Sequence, residues 1–284
     1  MVSVDYADLL AITLPYNRHH FSEIWVVTSS ADEQTKAVAQ AHGAHVFVTD
    51  SFYANGAAFN KWLALEEGLD AMGREGWLCL MDADVLWPKG ASVGEIIRGT
   101  MSFSILHGSM VESIVTQPGQ LCSPLRRMWN HWPLVAGFPG TVERIEDTDF
   151  WLPLESDWSK FPIHRNVNEW AGYSQIFHTS DPVLGPPPWH QVDWKHAGGA
   201  DSFFQQKWKP ENKVRPPFEV LHLGPAGQNW FGRATPRLDG TVPPDADGRR
   251  ASCAAIWPKR RTLRAEGLDQ FDGERTNEKT PPQG

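Results

Sequence analysis

Cysteine is scarce in this sequence and forms no pattern. The three cysteines, Cys79, Cys122 and Cys253, are far apart and odd in number, and no CxxC pair occurs. A disulfide framework needs an even, organised set of cysteines, and a zinc knuckle needs CxxC pairs. Neither is indicated here, so we expect reduced thiols and a cytoplasmic protein.

Long apolar runs and excess positive charge are missing as well. No stretch approaches the ~20 apolar residues that span a bilayer, and the N-terminus lacks the pattern of a signal peptide. We therefore expect no transmembrane segment, and a protein that acts inside the cell or docks peripherally on a membrane. The net charge of −8 argues against binding that depends on broad neutralisation of phosphates.

Several common catalytic patterns are also absent. The sequence contains no GxSxG nucleophile elbow, no HExxH pair, no Walker A loop and no Rossmann glycine fingerprint. These absences weaken the hydrolase, zinc-protease, kinase and dehydrogenase interpretations.

The composition that remains is that of a globular protein. Hydrophobic residues make up 41% and charged residues 21% of the chain, which is enough apolar mass for a sizeable core. Tryptophan is abundant, with 14 residues in a chain of 284. Tryptophan rings fill cores and also pack against the apolar faces of sugars, so the count mildly favours a carbohydrate ligand.

Strands and helices alternate in the first third of the chain. Asp32 is placed to cap a helix that Gly43 ends, and Gly73 closes the next helix. Such alternation predicts an α/β fold with a mostly parallel sheet flanked by helices, in which ligands bind beyond the carboxyl ends of strands. The predicted strands are 2–4, 23–28, 45–49, 77–81, 170–177 and 220–223, and the predicted helices are 6–17, 33–42, 59–72, 201–208 and 249–266.

An Asp-x-Asp motif directly follows the buried strand over 77–81. The carboxylates of Asp82 and Asp84 are hard oxygen ligands suited to Mn²⁺ or Mg²⁺, a cation that can bridge the phosphates of a nucleoside diphosphate. A turn-forming pair that only ends the strand is the alternative. Two further motifs, Asp147–Asp149 and Asp245–Asp247, follow no such strand, and we expect both at the surface, the last in a solvated loop.

The surroundings of this motif resemble a known group of enzymes. The segments concerned are Ile24 to Ser29, Asp32 with Thr35, Phe59 to Lys61 with Ala64 and Leu65, and Trp77 to Asp84. Together they resemble the nucleotide-binding half of GT-A glycosyltransferases of the family-2-like group, over about residues 2–90 with weaker echoes to about 233. The resemblance implies a Rossmann-like GT-A domain over 1–235, with a nucleotide-sugar-binding half over 1–100 and an acceptor-binding half over 101–235. A partly disordered C-terminal extension over 236–284 would follow.

The resemblance also implies which residues bind the donor. In this group the first strand opens the nucleotide pocket, and here that strand is unusually short. Lys61 would serve as a point charge for the diphosphate, although a surface helix lysine explains the same pattern. The residues expected to contact the nucleotide or its phosphates are Val4, Tyr6, Thr28, Asp50, Asn60, Lys61 and Asp82.

Two later residues complete the expected site. His222 lies in a short apolar strand near its end, at a place where GT-A enzymes often add a metal ligand. A lone histidine among apolar residues is otherwise a satisfied core residue. Asp201 follows Gly198 and Gly199, and by resemblance it is the base that deprotonates the acceptor hydroxyl. An ordinary helix N-cap explains its spacing equally well. Nearby candidates for contact with the acceptor are 172–175, Trp170 and Trp189.

The function expected from the resemblance is transfer of a sugar from a nucleotide-sugar donor, by default a UDP-sugar, to an acceptor hydroxyl with inversion. A nucleotide-sugar or carbohydrate-binding protein without turnover and a metal-dependent phosphoesterase are the alternatives. A glycan, a small molecule, a protein or a modified nucleobase all remain open as acceptor. The basic cluster of Lys259, Arg260, Arg261 and Arg264 fits a solvated helix face, or contact with anionic lipid or nucleic acid.

Overall fold

The described part of the chain contains more strands than α-helices, and most of the strands are short. The computed structural model describes residues 1–91, 94, 97, 118–130, 132, 140–145, 150–163, 170, 172–225 and 227–265, with side chains as far as 256. Its α-helices include α1 (Ala7–Asn17), α2 (Glu33–Ala41), α3 (Lys61–Met72), α4 (Ala200–Phe204) and α5 (Ala246–Ala265). Short 3₁₀ turns cover Arg18–His20, Ser51–Gly56, Glu155–Lys160, Gln205–Lys207 and Pro210–Asn212.

The strands form several small sheets of mixed direction. They are β1 (Trp25–Thr28), β2 (His45–Val48), β3 (Trp77–Met81), β4 (Val85–Leu86), β5 (Leu121–Cys122), β6 (Leu125–Trp129), β7 (Val142–Arg144), β8 (Trp151–Pro153), β9 (Ser174–His178), β10 (Lys213–Val214) and β11 (Glu219–Leu223). The pairs β1–β2, β5–β10 and β6–β11 are parallel, whereas β3–β9, β5–β9, β4–β11 and β7–β8 are antiparallel. The chain is therefore α/β, but the pairing of the described strands does not amount to a mostly parallel sheet.

The predicted opening strand over 2–4 is reduced to one bridging residue. Val2 forms parallel bridges both to Val27 in β1 and to Asp82 after β3. The backbone then leaves the extended conformation, because Asp5 has a positive φ of 65°. The predicted length was wrong, yet Val2 still connects the β1–β2 pair to the sheet that contains β3.

Side-chain caps fix the early helices where the sequence predicts them. The carboxylate of Asp32 accepts a hydrogen bond from the Thr35 N–H at 3.1 Å and starts α2. Asn60 caps α3 in the same way, accepting from the Leu63 N–H at 3.0 Å. Gly73 ends α3 with a φ of 96°, a left-handed conformation that favours glycine.

The later elements are shorter than predicted or shifted. The strand predicted over 170–177 begins only at Ser174, and the helix predicted over 201–208 becomes α4 followed by a 3₁₀ turn. This turn ends because Trp208 adopts an extended backbone with φ −94° and ψ 135°. The segment with Asp247, predicted to be loop, is the first turn of α5. The motif Asp147–Asp149 lies in part outside the described residues, which omit 146–149.

The main core lies between α3 and the sheet that contains β3 and β9. Trp62 and Leu65 of α3 belong to one buried cluster with Leu80 of β3 and Phe177 of β9. Helix α3 also approaches β1 closely, since a Cβ atom on Gly68 would lie 2.5 Å from a methyl group of Val27. This packing brings the first turn of α3 next to the end of β3.

The start of the C-terminal extension returns to the N-terminal segment. Arg237 forms an ion pair with Asp5 at 2.5 Å, and the Leu238 N–H donates to the Asp8 carboxylate at 2.8 Å. Within the described ranges, no helix combines the length and the apolar character needed to cross a membrane. The predicted disorder near the C-terminus, and the side chains of the basic cluster in α5, lie outside the described residues.

Candidate active site

The segment Asp82-Ala83-Asp84 connects β3 to β4, and the main chain of each of its residues forms a hydrogen bond with another part of the protein. The Asp82 N–H donates to the Tyr173 carbonyl at 3.0 Å, and the Leu223 N–H donates to the Asp84 carbonyl at 2.8 Å. The Thr13 hydroxyl donates to the Ala83 carbonyl at 2.6 Å. Because the main chain is fixed in this way, the two carboxylates have defined positions between two sheets.

Asp84 and His222 face each other across the β4–β11 pair. Both are buried, and His222 Nε2 lies 3.6 Å from Asp84 Oδ1. His222 Nδ1 lies 3.1 Å from the Gly224 carbonyl oxygen, which only accepts, so the neutral imidazole carries its proton on Nδ1. The lone pair of Nε2 is then directed toward Asp84, whose Oδ1 is buried without a hydrogen-bond partner.

The surroundings of Asp84 disfavour the ionised form of its carboxyl group. Burial raises the pKa of Asp84, and the charge of Asp82 adds to this effect, whereas a protonated His222 and the charge of Lys61 oppose it. A buried carboxylate of this kind is stabilised by a cation or by hydrogen-bond donors. Among the described residues, none donates a hydrogen bond to Oδ1, and the His222 Nε2 atom at 3.6 Å is a cation only when the imidazole is protonated.

Lys61 lies at the first position of α3 and forms an ion pair with Asp82. The Lys61 Nζ atom is 2.5 Å from Asp82 Oδ1, and both side chains are mostly buried. Burial lowers the pKa of Lys61, but the charge and hydrogen bond of Asp82 outweigh it, and Asp201 and Asp84 add to the increase. The charges of all three carboxylates therefore act on Lys61.

Asp201 lies beside the start of β9. Its Oδ2 accepts from the Gly172 N–H at 2.8 Å, and its Oδ1 accepts from the Ser202 N–H at 2.9 Å. The cap of α4 is Gly199 rather than Asp201, so the N-cap interpretation of Asp201 was wrong. Residue 172 must be small here, because a Cβ atom on Gly172 would lie 2.7 Å from the Asp201 Cβ atom.

The N-terminal residues expected to contact the nucleotide occupy different surroundings. Val4 packs against the buried cluster that contains Trp62. Tyr6 lies under the Arg233 guanidinium, whose centre is 4.8 Å from the ring centroid. Burial raises the pKa of Tyr6, and the charge of Asp84 adds to this effect.

Three other predicted contacts have protein partners. Thr28 is buried, and its hydroxyl lies 3.4 Å from Asp32 Oδ2. Besides capping α3, Asn60 donates to the Val192 carbonyl at 2.7 Å. Asp50 is exposed and accepts from both the Ser30 N–H and the Ser30 hydroxyl, which lower its pKa.

The two tryptophans suggested as sugar platforms also have partners. Trp189 is buried against Phe177, with the Arg74 guanidinium 4.7 Å from its ring centroid. The ring of Trp170 is covered at 3.9 Å by the guanidinium of Arg215. These contacts give Trp189 a structural role in the core.

Sequence reasoning missed two arginines of the site. Arg233 is 2% exposed and binds both carboxylate oxygens of Asp8. The pKa of Arg126, on β6, is lowered by burial, and the charges of Asp82, Asp84 and Asp201 oppose this effect. No local pattern singles out either residue, because their partners lie far away along the chain.

The residues at the site fit a hard divalent cation in part. The buried, unpartnered oxygen of Asp84 and the free lone pair of His222 Nε2 are an oxygen and a nitrogen ligand of the kind that Mn²⁺ accepts. The described residues contain no group of three or more His, Cys, Asp or Glu side chains placed to hold a metal. Substrate oxygens and water would therefore have to complete the coordination, as is common for Mg²⁺ and its phosphate substrates.

A cavity of about 580 Å³ lies elsewhere, against α3, β1 and β3. Its described lining includes Trp25, Leu69, Trp77 and Cys79, and none of the candidate site residues. Burial raises the pKa of the Cys79 thiol to about 12, which makes this thiol a poor nucleophile at neutral pH.

Comparisons with known proteins add no relative. No protein-family model matches the chain, and no curated protein matches it either. The chemistry of the candidate site therefore carries the functional argument.

Proposed function

We propose that this protein is a metal-dependent glycosyltransferase of GT-A type, which moves a sugar from a nucleoside-diphosphate donor, by default a UDP-sugar, to an acceptor hydroxyl with inversion. The domain over 1–235 would hold the site, and its mixed sheets around β3 would be a version of the GT-A sheet. A sugar-nucleotide or carbohydrate-binding protein without turnover is the second candidate. A metal-dependent phosphoesterase is the third.

One observation carries the proposal. Asp84 keeps a buried oxygen without a hydrogen-bond partner, 3.6 Å from the Nε2 atom of His222. Such a pair would offer one oxygen and one nitrogen ligand to a divalent cation. The pair lies directly beyond β3, beside Asp82 and Lys61.

Asp84 and His222 would hold Mn²⁺ or Mg²⁺. The cation would supply Lewis-acid stabilisation of the negative charge on a diphosphate. The Gly224 carbonyl orients His222 for this role through its Nδ1–H, as outer hydrogen bonds commonly orient metal-binding histidines.

The remaining residues have separate roles in the proposed reaction. Lys61 offsets the charge of Asp82, which would otherwise repel the phosphates. Asp201 accepts the proton of the acceptor hydroxyl on a carboxylate oxygen, and its two main-chain hydrogen bonds hold that carboxylate in place. A phosphoesterase with two metals would need more clustered ligands than the described residues provide.

Thermal unfolding in the presence of nucleotides tests the proposal. UDP, GDP, CDP and their sugar conjugates are added to wild type and to Asp84→Asn, with Mn²⁺ or with chelator. A ligand at about 100 times its Kd stabilises the folded state by about 2.7 kcal/mol. We expect one base to raise the melting temperature of wild type in Mn²⁺ only, and Asp84→Asn to lose that shift.

The outcomes separate the candidate functions. No shift with any nucleotide contradicts the donor site. A shift without turnover over a broad acceptor panel favours the binding protein. Metal-dependent hydrolysis of simple phosphate esters, with no transfer from any sugar nucleotide, favours the phosphoesterase.

A further inference from the structure

Two neighbouring arginines on β6 have opposite surroundings. Arg127 forms two contacts with Glu219, at 2.5 Å from Nε and 3.0 Å from Nη2, and also donates to the Phe161 carbonyl at 2.9 Å. Side chains alternate along a strand, so Arg126 points to the other face. There the described residues offer Arg126 no carboxylate within the 4.0 Å of an ion pair.

Arg126 is half-buried, and its Nε atom is fully buried without a hydrogen-bond partner. Its guanidinium stacks on the ring of Tyr173, 4.4 Å from the centroid. The Tyr173 hydroxyl is itself fixed by the Pro124 carbonyl at 2.5 Å. Burial lowers the pKa of Arg126, and the charges of Tyr173, Asp82, Asp84 and Asp201 oppose this effect. Its charge is therefore partly removed from water, and no carboxylate of the described residues lies at ion-pair distance to compensate directly.

Tyr173, on which Arg126 stacks, and its neighbour Gly172 contact two of the candidate site residues, Asp82 and Asp201. The Tyr173 carbonyl accepts from the Asp82 N–H at 3.0 Å, and the adjacent Gly172 N–H donates to Asp201. The charges of Asp82, Asp84 and Asp201 all act on Arg126. Lys61 is already paired with Asp82, whereas Arg126 has no such partner.

We infer that Arg126 is a substrate-binding residue, whose guanidinium pairs with a phosphate group of the substrate at the Asp82–Asp84–Asp201 site. Arginine suits this role because its planar fork binds phosphate oxygens bidentately and remains charged when partly buried. The inference deepens the proposed function, on which it rests for the identity of the substrate. The phosphate belongs either to the donor diphosphate or to a phosphorylated acceptor.

Calorimetric titration with phosphate compounds tests this role. Inorganic pyrophosphate with Mn²⁺ represents the donor, and glucose 6-phosphate added with Mn²⁺ and UDP represents an acceptor. Both are titrated into wild type, Arg126→Gln, Arg126→Lys and the matched variant Arg127→Gln, with folding checked by circular dichroism. Arg126→Lys keeps the positive charge but lacks the planar fork, and therefore decides the test if a glutamine variant does not fold.

We expect Arg126→Gln to weaken pyrophosphate binding about tenfold to a hundredfold, the usual effect of losing a charged hydrogen-bond pair. Arg126→Lys should fall between Arg126→Gln and wild type, and Arg127→Gln should stay within about twofold of wild type because Arg127 faces Glu219. A loss seen only with glucose 6-phosphate would assign Arg126 to the acceptor.

Unchanged binding of both compounds in Arg126→Gln overturns the inference, as does a wild-type protein that binds neither. The inference and the proposed function can fail separately. Nucleotide-dependent stabilisation that is equal in wild type and Arg126→Gln keeps the function and removes Arg126 from the site. Arg126-dependent binding of pyrophosphate without any response to sugar nucleotides keeps Arg126 and removes glycosyl transfer.

Discussion

The carboxylates of the site differ in how their oxygens are used. Asp201 accepts one main-chain hydrogen bond on each oxygen, which fixes the group and leaves lone pairs for a proton. Asp84 keeps a buried oxygen without a donor, which suits a cation better. Asp82 is paired with Lys61. The three residues are therefore suited to different tasks, although their side chains are chemically identical.

Replacing Asp201 by asparagine tests its role as the base. An amide keeps the size of the carboxylate but cannot take up the acceptor proton, so turnover should fall by about 10²–10⁴-fold. Nucleotide-dependent stabilisation should persist, because Lys61, Asp84 and His222 are unchanged. The rate is measured with the donor that stabilises wild type. The exposed Asp193→Asn serves as control, and an unchanged rate in Asp201→Asn would remove it as base.

Arg233 should contribute strongly to stability. It is 2% exposed and donates to Asp8 and to the carbonyls of Asp5, Thr235 and Pro236. Removing one partner of a buried ion pair costs about 3–5 kcal/mol, so Arg233→Met should lower the free energy of unfolding by about that much in urea.

An exposed ion pair provides the comparison for Arg233. Lys89 lies 3.2 Å from Glu143, with 58% and 38% of their side chains exposed. Pairs of this kind contribute about 0–1 kcal/mol, so Lys89→Met should change the free energy of unfolding by less than that. Equal effects of the two variants would show that the buried network around Arg233 does not stabilise the fold.

At the scale of elements, the contact between α4 and the start of β9 is close enough to test with one methyl group. A Cβ atom on Gly172 would lie 2.7 Å from Asp201 Cβ and 3.2 Å from the Trp62 ring. Overpacking of this kind costs about 1–3 kcal/mol, so Gly172→Ala should lower the melting temperature and displace Asp201. Gly90→Ala meets no atom within 4 Å and should melt like wild type. Equal melting temperatures in the two variants would contradict this packing.

The early elements could be predicted from the sequence because their signals are local. Helix α2 follows from the Asp32 cap, and α3 ends at Gly73; both signals are visible within a few residues. The short strands between 121 and 153 could not be predicted, because their pairing is long-range. Leu121, for example, pairs with Lys213, and two-residue strands have no periodicity of their own.

The site follows the same division. Asp82, Asp84 and Lys61 could be selected because they adjoin predicted elements, and the structure brings them together. Arg126 could not be selected from the sequence, because the effect of the Asp201 charge on Arg126 depends on how β6, β9 and α4 pack. Asn60 was selected as a nucleotide contact, but its pattern equally fits the helix cap that it forms.

For the whole molecule, buried histidines predict a loss of stability in acid. Burial lowers the pKa of His20 to about 4, with the charge of His19 adding to the effect, and burial also lowers the pKa of His190. The unfolded chain binds protons on these groups from about pH 6.5 downward. The contribution of these histidines to the free energy of unfolding is therefore complete above about pH 6.5. It is lost as the pH falls from about 6.5 toward about 4.

The buried Glu66 adds a second loss of stability at still lower pH. Burial raises its pKa, but the contacts with His190 and Arg74 outweigh this and lower it overall. Its contribution to stability is therefore present above its ordinary pKa of about 4.5 and is lost only below that pH, so the histidines alone account for the loss at higher pH. We expect melting temperatures to fall by several degrees between pH 7.5 and pH 5, at about 2–4 °C for each kcal/mol lost. His20→Gln should flatten the profile, and the exposed His45→Gln should not. A flat wild-type profile would contradict the burial of these groups.

The central claim is that the Asp84–His222 pair supports a metal-dependent donor site. Release of nucleoside diphosphate from the sugar nucleotide that stabilises wild type tests it most directly, with and without Mn²⁺ and over a panel of acceptors. We predict acceptor-dependent release in Mn²⁺ that drops about a hundredfold or more in Asp84→Asn, since a catalytic metal contributes several kcal/mol. Release at the wild-type rate in Asp84→Asn, or release that is indifferent to chelator, would contradict the account.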